Sequence, residues 1–434
     1  MPKSAASARS ARQKERTNMT VIAEQDLDRL DLGDLALWEQ GPPHDLFTRL
    51  RREAPIHWSP LDSHPDEAGF WSITRAADLR EISLDHETFS SELGGVLVLD
   101  DFGIPLEAQR QQMISMDPPR HDRLKALFQR GFTPKRIAEH TERIRAIVNR
   151  KLDRVAERGE CDLVNDVAGP VVSRVIGSFL GTPEEDDRRH MEETNMALGF
   201  GDDDLRPSEE ALAEMLTRTW NETMEIIADR RATPSDDLIS VLVHAEVDGE
   251  QLTDTEIWMG VGLLGAAGND STRAVFTSGV LGLMERPDQM QLLLEDPSLI
   301  PGAVEEVARM YPAFAHFRRT ATREVELHGK TIREGDKVLL WYVSGNRDEA
   351  VYEDAQRLDV TRNPDHQAFG AGGRHFCLGA ALARLELRLL LTETLRRFGD
   401  LELAGEPTVA RSMFVNQLKT LPVRFTPTPP EGSS

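Results

Sequence analysis

A mainly α-helical single domain with short β-sheets is the fold class that this sequence predicts, and three observations predict it. Apolar residues recur at helical spacing over long stretches, as at Leu382, Leu385, Leu389 and Leu390. Strand-like alternation is confined to short pieces, residues 70–74, 324–327 and 337–343. No Pro/Gly/Ser-rich linker and no internal repeat interrupts the body, so the 434 residues read as one large domain rather than two or three. The expected division is a disordered tail over 1–20, one domain over 21–428 and a disordered end over 429–434. Lys3, Arg9, Arg12, Lys14 and Arg16 give the tail the composition of a transit peptide, and Met19 opens a more ordinary stretch.

Taken in chain order, the first informative helix starts at the capping box Thr253-Asp-Thr-Glu256 and is predicted to run to about Met284. Gly262, Gly265, Ala266, Ala267 and Gly268 make it thin, and interior glycine costs about 1 kcal/mol each, so the cluster asks for a reason. Either another helix packs close, or a ligand needs the space. Pro301 opens and Pro312 closes a second helix that carries Glu306-Val-Ala-Arg309. Residues three apart share a helix face, but such a pair on a solvated helix contributes only about 0.5 kcal/mol or less.

The glycine-rich stretch from Phe369 to Gly379 then presents Cys377 at the start of a helix expected over 378–398, with Gly399 as its C-terminal cap. A thiolate ligand needs its charge stabilised, and a first helical turn offers unpaired N–H groups and the positive end of the macrodipole. Gly370, Gly372, Gly373 and Gly379 lack Cβ atoms, so the backbone can bend tightly and let a flat macrocycle approach. An ordinary buried cysteine is the bland alternative. This spacing favours sulfur as a ligand to haem iron.

The Cys377 loop resembles the haem-binding signature of the cytochrome P-450 family, although Phe369 lies eight residues before the cysteine instead of the usual seven, a form shared with bacterial lipid and sterol hydroxylases. The resemblance runs from about Leu35 to Phe425. It implies a large helical domain with small β-sheets at one side, haem b bound through Cys377 as the metal ligand, and Phe369 and Gly268 lying against the cofactor. It also implies that Glu306, Arg309 and Arg362 form a structural triad, and that His121, Lys125, Arg319 and His375 meet the haem carboxylates. Lys125 stands where an arginine is commoner and lacks the bidentate fork. Asp270 and Ser271 occupy the catalytic proton-relay positions. Serine replaces the usual threonine there and loses the methyl that fixes the rotamer.

Segments such as 50–56, 197–200, 245–249, 335–342 and 418–422 are similar to those of actinobacterial members that oxidise the chain ends of methyl-branched lipids and sterols. By family position the substrate pocket draws on 93–116, 196–200, 263–267, 312–317 and 413–415, with Leu263, Ala267, Phe314, Ala315 and Phe414 as wall residues. Their apolar character implies an apolar ligand. His316 and the acidic run Asp202-Asp-Asp204 are candidates for its polar ends.

Composition sets limits. A formal net charge of −23 argues against nucleic-acid binding. The two cysteines, Cys161 and Cys377, leave no disulfide framework, which fits a reducing cytoplasm, and no apolar run is read as approaching the eighteen or so residues of a membrane span. Arg120, Arg123, Lys125, Arg130, Lys135, Arg136 and Arg374 form a basic cluster near the cysteine loop, which reads either as a solvated helix face or as a docking patch for an acidic ferredoxin served by its own ferredoxin reductase. The expected activity is dioxygen-dependent hydroxylation of a branched fatty acid, sterol side chain or terpenoid. The alternatives are tailoring of a secondary metabolite such as a polyketide, and a haem-thiolate sensor or gas-binding protein.

Overall fold

The computed structural model describes residues 26–62, 64, 67–98, 105–129, 131–247 and 249–431. The predicted tail over 1–20, Arg130 and residues 432–434 lie outside the described residues. A five-stranded sheet is built from β1 (Ile56–Ser59), β2 (Phe70–Ile73), β3 (Phe89–Ser90), β4 (His316–Ala321) and β5 (Lys337–Trp341) in the order β1-β2-β5-β4-β3. The β2/β5 pair is parallel, with Val338 opposite Trp71, and the β4/β5 pair is antiparallel, with Val338 opposite Arg319. Two apolar clusters lie against this sheet. One is centred on Trp38, Phe47 and Trp341, whose rings lie 5.2–6.1 Å apart, and the other on Ile73, Leu79 and Leu340.

The helical bulk comprises α1 (Arg120–Gln129), α2 (Gly169–Leu180), α3 (Asp187–Leu198), α4 (Glu209–Ala232), α5 (Asp254–Met284), α6 (Ile300–Met310) and α7 (Ala380–Arg397), among shorter and flanking helices. The largest apolar cluster joins their inner faces. The central element is α5, which packs against α2, α3, α6 and α7. Its start follows from the sequence: Thr253 accepts from the Glu256 N–H, and the Glu256 carboxylate accepts from the Thr253 N–H at 2.9 Å, a reciprocal capping box. Residues 163–180 are long and apolar enough to cross a membrane by length and composition, contrary to the sequence expectation, and 72% of that stretch is buried inside the fold. It is spent on the helical core.

Two boundaries differ from expectation. The last long helix begins at Ala380 rather than Leu378, because Leu378 and Gly379 form the turn that leaves N–H groups free near the thiol. It ends on Phe398, whose N–H donates to the Thr394 carbonyl. Gly399 is not left-handed, and what it supplies is room, since a Cβ there would lie 3.0 Å from Leu294.

Candidate haem-thiolate site

The cysteine loop is closed by its own backbone. The Cys377 N–H donates to the Phe369 carbonyl at 2.9 Å, and Gly370, Gly372 and Gly373 take φ of 97°, 100° and 76°, where side chains are strained. Cys377 is exposed although protein surrounds its sulfur closely. Burial raises its thiol pKa. The Gly379 and Ala380 N–H groups and the charges of Lys125 and Arg384 act against that rise by favouring thiolate. Arg384 went unnoticed in the sequence. It lies two helical turns beyond Cys377, stacks 4.4 Å over the Phe369 ring and is gripped by Glu305 at 2.9 Å, and the His366 and Arg384 bonds hold the Glu305 carboxyl down at about 2. The seven-residue spacing was the available signal.

A second group of positive and titratable side chains gathers near the loop. The His121 and His375 rings are 4.3 Å apart, and His375 contacts Ser91 Oγ at 3.1 Å. Burial, followed by the charges of Arg319, His121 and Lys125, drives the His375 pKa well below the ordinary histidine range. Burial likewise lowers Arg319 and His121. All four groups expected at the haem carboxylates therefore come together. Lys125 departs in part from its expected role, because its ammonium donates to the Arg374 and Phe376 carbonyls and so ties α1 to the cysteine loop.

Glu306, Arg309 and Arg362 also meet. Arg309 grips Glu306 through two 2.7 Å bonds, Arg362 Nε reaches the same carboxylate at 3.2 Å, and Arg309 donates to the Asn346 and Ala355 carbonyls. With Glu306 and Arg309 fully buried, the group pins the segment that leads into the cysteine loop to α6.

The thin stretch of α5 divides by face. Gly262 and Gly265 border open space, and Leu263, Ala266 and Ala267 line a cavity with Phe314, Phe317 and Phe414. Gly268 faces the other way: a Cβ there would lie 2.9 Å from Ile176 on α2, so its smallness serves helix packing and not the cofactor. Ala315 is also reassigned. It is buried in the Trp38–Trp341 cluster with its N–H bonded to the Phe414 carbonyl, and it does not line the cavity.

Ser271 Oγ donates to the Ala267 carbonyl at 2.7 Å, one turn below the cavity wall. Asp270 is fully buried and outside the cavity lining, paired with Arg273, which also donates to Asn195 Oδ1 at 2.6 Å and Gln417 Oε1 at 2.7 Å. Burial raises the Asp270 pKa in spite of Arg273. His316 and Asp202 lie outside the cavity lining, each held by protein partners. His316 is buried, bonded to the Met413 carbonyl and pushed down to about 4, hence neutral. Asp202 accepts from the Arg411 N–H and Lys419. In the basic cluster Arg120 pairs with Glu256 and Arg374 with Asp122.

These residues fit haem: a thiol at a helix N-terminus, the Arg319 and Lys125 cations gathered with two histidines as partners for carboxylates, and an apolar cavity along glycine-thinned α5. They define a haem-thiolate enzyme. A family model described as Cytochrome P450 matches residues 202–417. The chain is 37% identical to a methyl-branched lipid omega-hydroxylase of Mycobacterium bovis over 94% of its length and 98% of that protein's. It is 42% identical to a steroid C26-monooxygenase of Mycobacterium tuberculosis over 74% of its own length and 87% of that protein's. The crystal structure of Mycobacterium marinum cytochrome P450 CYP268A2 in complex with pseudoionone superposes with a TM-score of 0.86 at 35% identity, covering 92% of this chain and 99% of that one. The chain belongs to the cytochrome P450 family and is a haem-dependent monooxygenase.

Proposed function

We propose that this protein hydroxylates a C–H bond of an apolar lipid, sterol or terpenoid, taking electrons from a ferredoxin and its reductase in the cytoplasm. The observation that carries the reading is the Cys377 thiol, with two backbone N–H groups beside it, in a protein with a cavity along α5 walled by Leu263, Ala266, Phe314, Phe317 and Phe414. The two unbridged thiols agree with a reducing compartment. Relatives named for methyl-branched lipid and steroid oxidation support the substrate class.

Haem, when bound, supplies dioxygen activation and the oxidation of the C–H bond. Cys377 would hold the iron, with the Gly379 and Ala380 N–H groups keeping the sulfur anionic. His121, His375 and Arg319 would take the carboxylates, as would Lys125 on releasing the loop carbonyls. Ser271 would hold a proton one turn beyond the Ala267 cavity wall on α5. Asp270 would supply it once its grip on Arg273 loosens. The basic residues on and after α1 would receive an acidic ferredoxin.

The test is NADPH consumption by holoenzyme, ferredoxin and reductase with a panel of branched lipids, sterols and terpenoids. Substrate-dependent consumption with hydroxylated product is expected. The Cys377→Ser variant should lose it, together with the thiolate-ligated optical spectrum. Ligand binding without turnover on any compound would favour a sensor instead.

A further inference from the structure

The cavity has two unlike ends. At one, Phe314, Phe317 and Phe414 pack with ring centroids 5.1–5.5 Å apart against Leu198 and Ala266. At the other, α3 brings His190 and Glu193 and α4 brings Glu222 and Thr219. His190 and Glu193 lie eight and five residues before Leu198 on one helix, and all three line the cavity, so the ends are separated by about 8–12 Å.

The acidic end is built from acceptors. Glu222 receives Arg189 Nη1 at 2.6 Å, and Glu193 receives Arg218 Nη2 at 2.9 Å. Both arginines approach from the solvent side, 31% and 45% exposed, and no Lys or Arg lines the cavity among the described residues. The Thr219 and Thr223 hydroxyls, both on the cavity lining, spend their protons on the Leu216 and Thr219 carbonyls, which leaves their oxygens as acceptors. Burial lowers the His190 pKa in spite of the Glu193 and Glu222 carboxylates, which disfavours its charged form.

We infer that the substrate carries a neutral hydroxyl about 8–12 Å from its most apolar end and is bound as an alcohol, not as a free carboxylic acid; this rests on the monooxygenase reading above. A hydroxyl donates to Glu193 or Glu222 while the hydrocarbon body runs along α3 to the aromatic end. A carboxylate at the same place finds acceptors and no cationic donor on the lining, so burying it there is unfavourable, while an ammonium gains little because Arg189, which reaches both Glu222 and Glu193, and Arg218 already neutralise the two carboxylates.

The experiment is an optical spin-state titration of the ferric holoenzyme at pH 7.5 with three compounds sharing one branched chain: the primary alcohol, the carboxylic acid and the amine. The alcohol should bind at least tenfold more tightly than the acid. In Glu193→Gln or Glu222→Gln that ratio should shrink at least threefold, because the acid gains affinity. An acid that binds as tightly as the alcohol, an amine that binds more tightly, or a ratio unchanged in both variants overturns the inference while leaving the monooxygenase reading intact. Absence of binding by all three compounds, with no turnover of any apolar compound in the NADPH assay, removes both.

Discussion

Changing Arg273 to Met removes one guanidinium that holds three side chains from three parts of the chain: Asp270 on its own helix, Asn195 on α3 and Gln417 beyond β5. Arg273 is 3% exposed and Asp270 0%, so water cannot replace the lost partner. Breaking a buried pair from one side costs about 3–5 kcal/mol, and we expect about 4 kcal/mol here by urea unfolding of the haem-loaded enzyme. The double variant D270N/R273M should recover about 2 kcal/mol, since an amide leaves no unpaired charge behind. The pH dependence has a definite sign. Burial already raises the Asp270 pKa, and loss of the guanidinium raises it further. A group raised in the folded state contributes stability below its unfolded pKa and loses it as pH rises through the folded value. The deficit of R273M should therefore grow as pH rises above the ordinary aspartate range. A loss under about 1 kcal/mol, or a deficit that shrinks as pH rises, would refute this account of Asp270 as a buried charge dependent on Arg273.

Three further outcomes follow from the same geometry. Gly268→Ala should destabilise by about 1–3 kcal/mol through its clash with Ile176, whereas Gly265→Ala, facing open space, should stabilise α5 by about 0.5–1 kcal/mol while altering ligand affinity; paired denaturation curves would read both signs. Glu306→Gln leaves Arg309 buried without its charge partner and should cost about 3–5 kcal/mol, with faster haem loss measured by transfer to an acceptor protein. His316 titrates near 4 when folded and near 6.5 when not, so stability should fall by about 3 kcal/mol as pH drops from 6.5 to 4, a slope that His316→Phe should flatten in acid-unfolding curves.

The features legible in the sequence were those fixed by one stretch of backbone. A cysteine after left-handed glycines and before a helix has its N–H donors built in, and Glu306-x-x-Arg309 has one helix face available to it. The capping box placed the start of α5 because both bonds lie within four residues. Periodicity could not say which neighbour each small residue meets, so Gly268 was placed toward the cofactor although it faces α2. Ala315 was misplaced for a similar reason: alternation at a strand's edge does not reveal which face looks into the cavity and which into the Trp341 cluster. The acidic cavity end is assembled from α3 and α4, about thirty residues apart, and the apolar 163–180 stretch shows its burial only once helices surround it.

β4 carries a consequence for how this enzyme can change. Phe317 and Arg319 share one face of the strand and both neighbour Tyr342, while Arg318 and Thr320 share the other, joined at 3.3 Å. Hydrocarbon wall and positive charge are thus set side by side by a two-residue repeat. Insertion of a single residue between Arg318 and Arg319, with the strand held from Arg319 onward, would exchange the faces before it and present the Arg318 guanidinium where the Phe317 ring now lies. Substitution can retune this wall one side chain at a time, whereas a change of length inverts it, so variation in length has room in the Leu327–Lys330 turn and none in the strand.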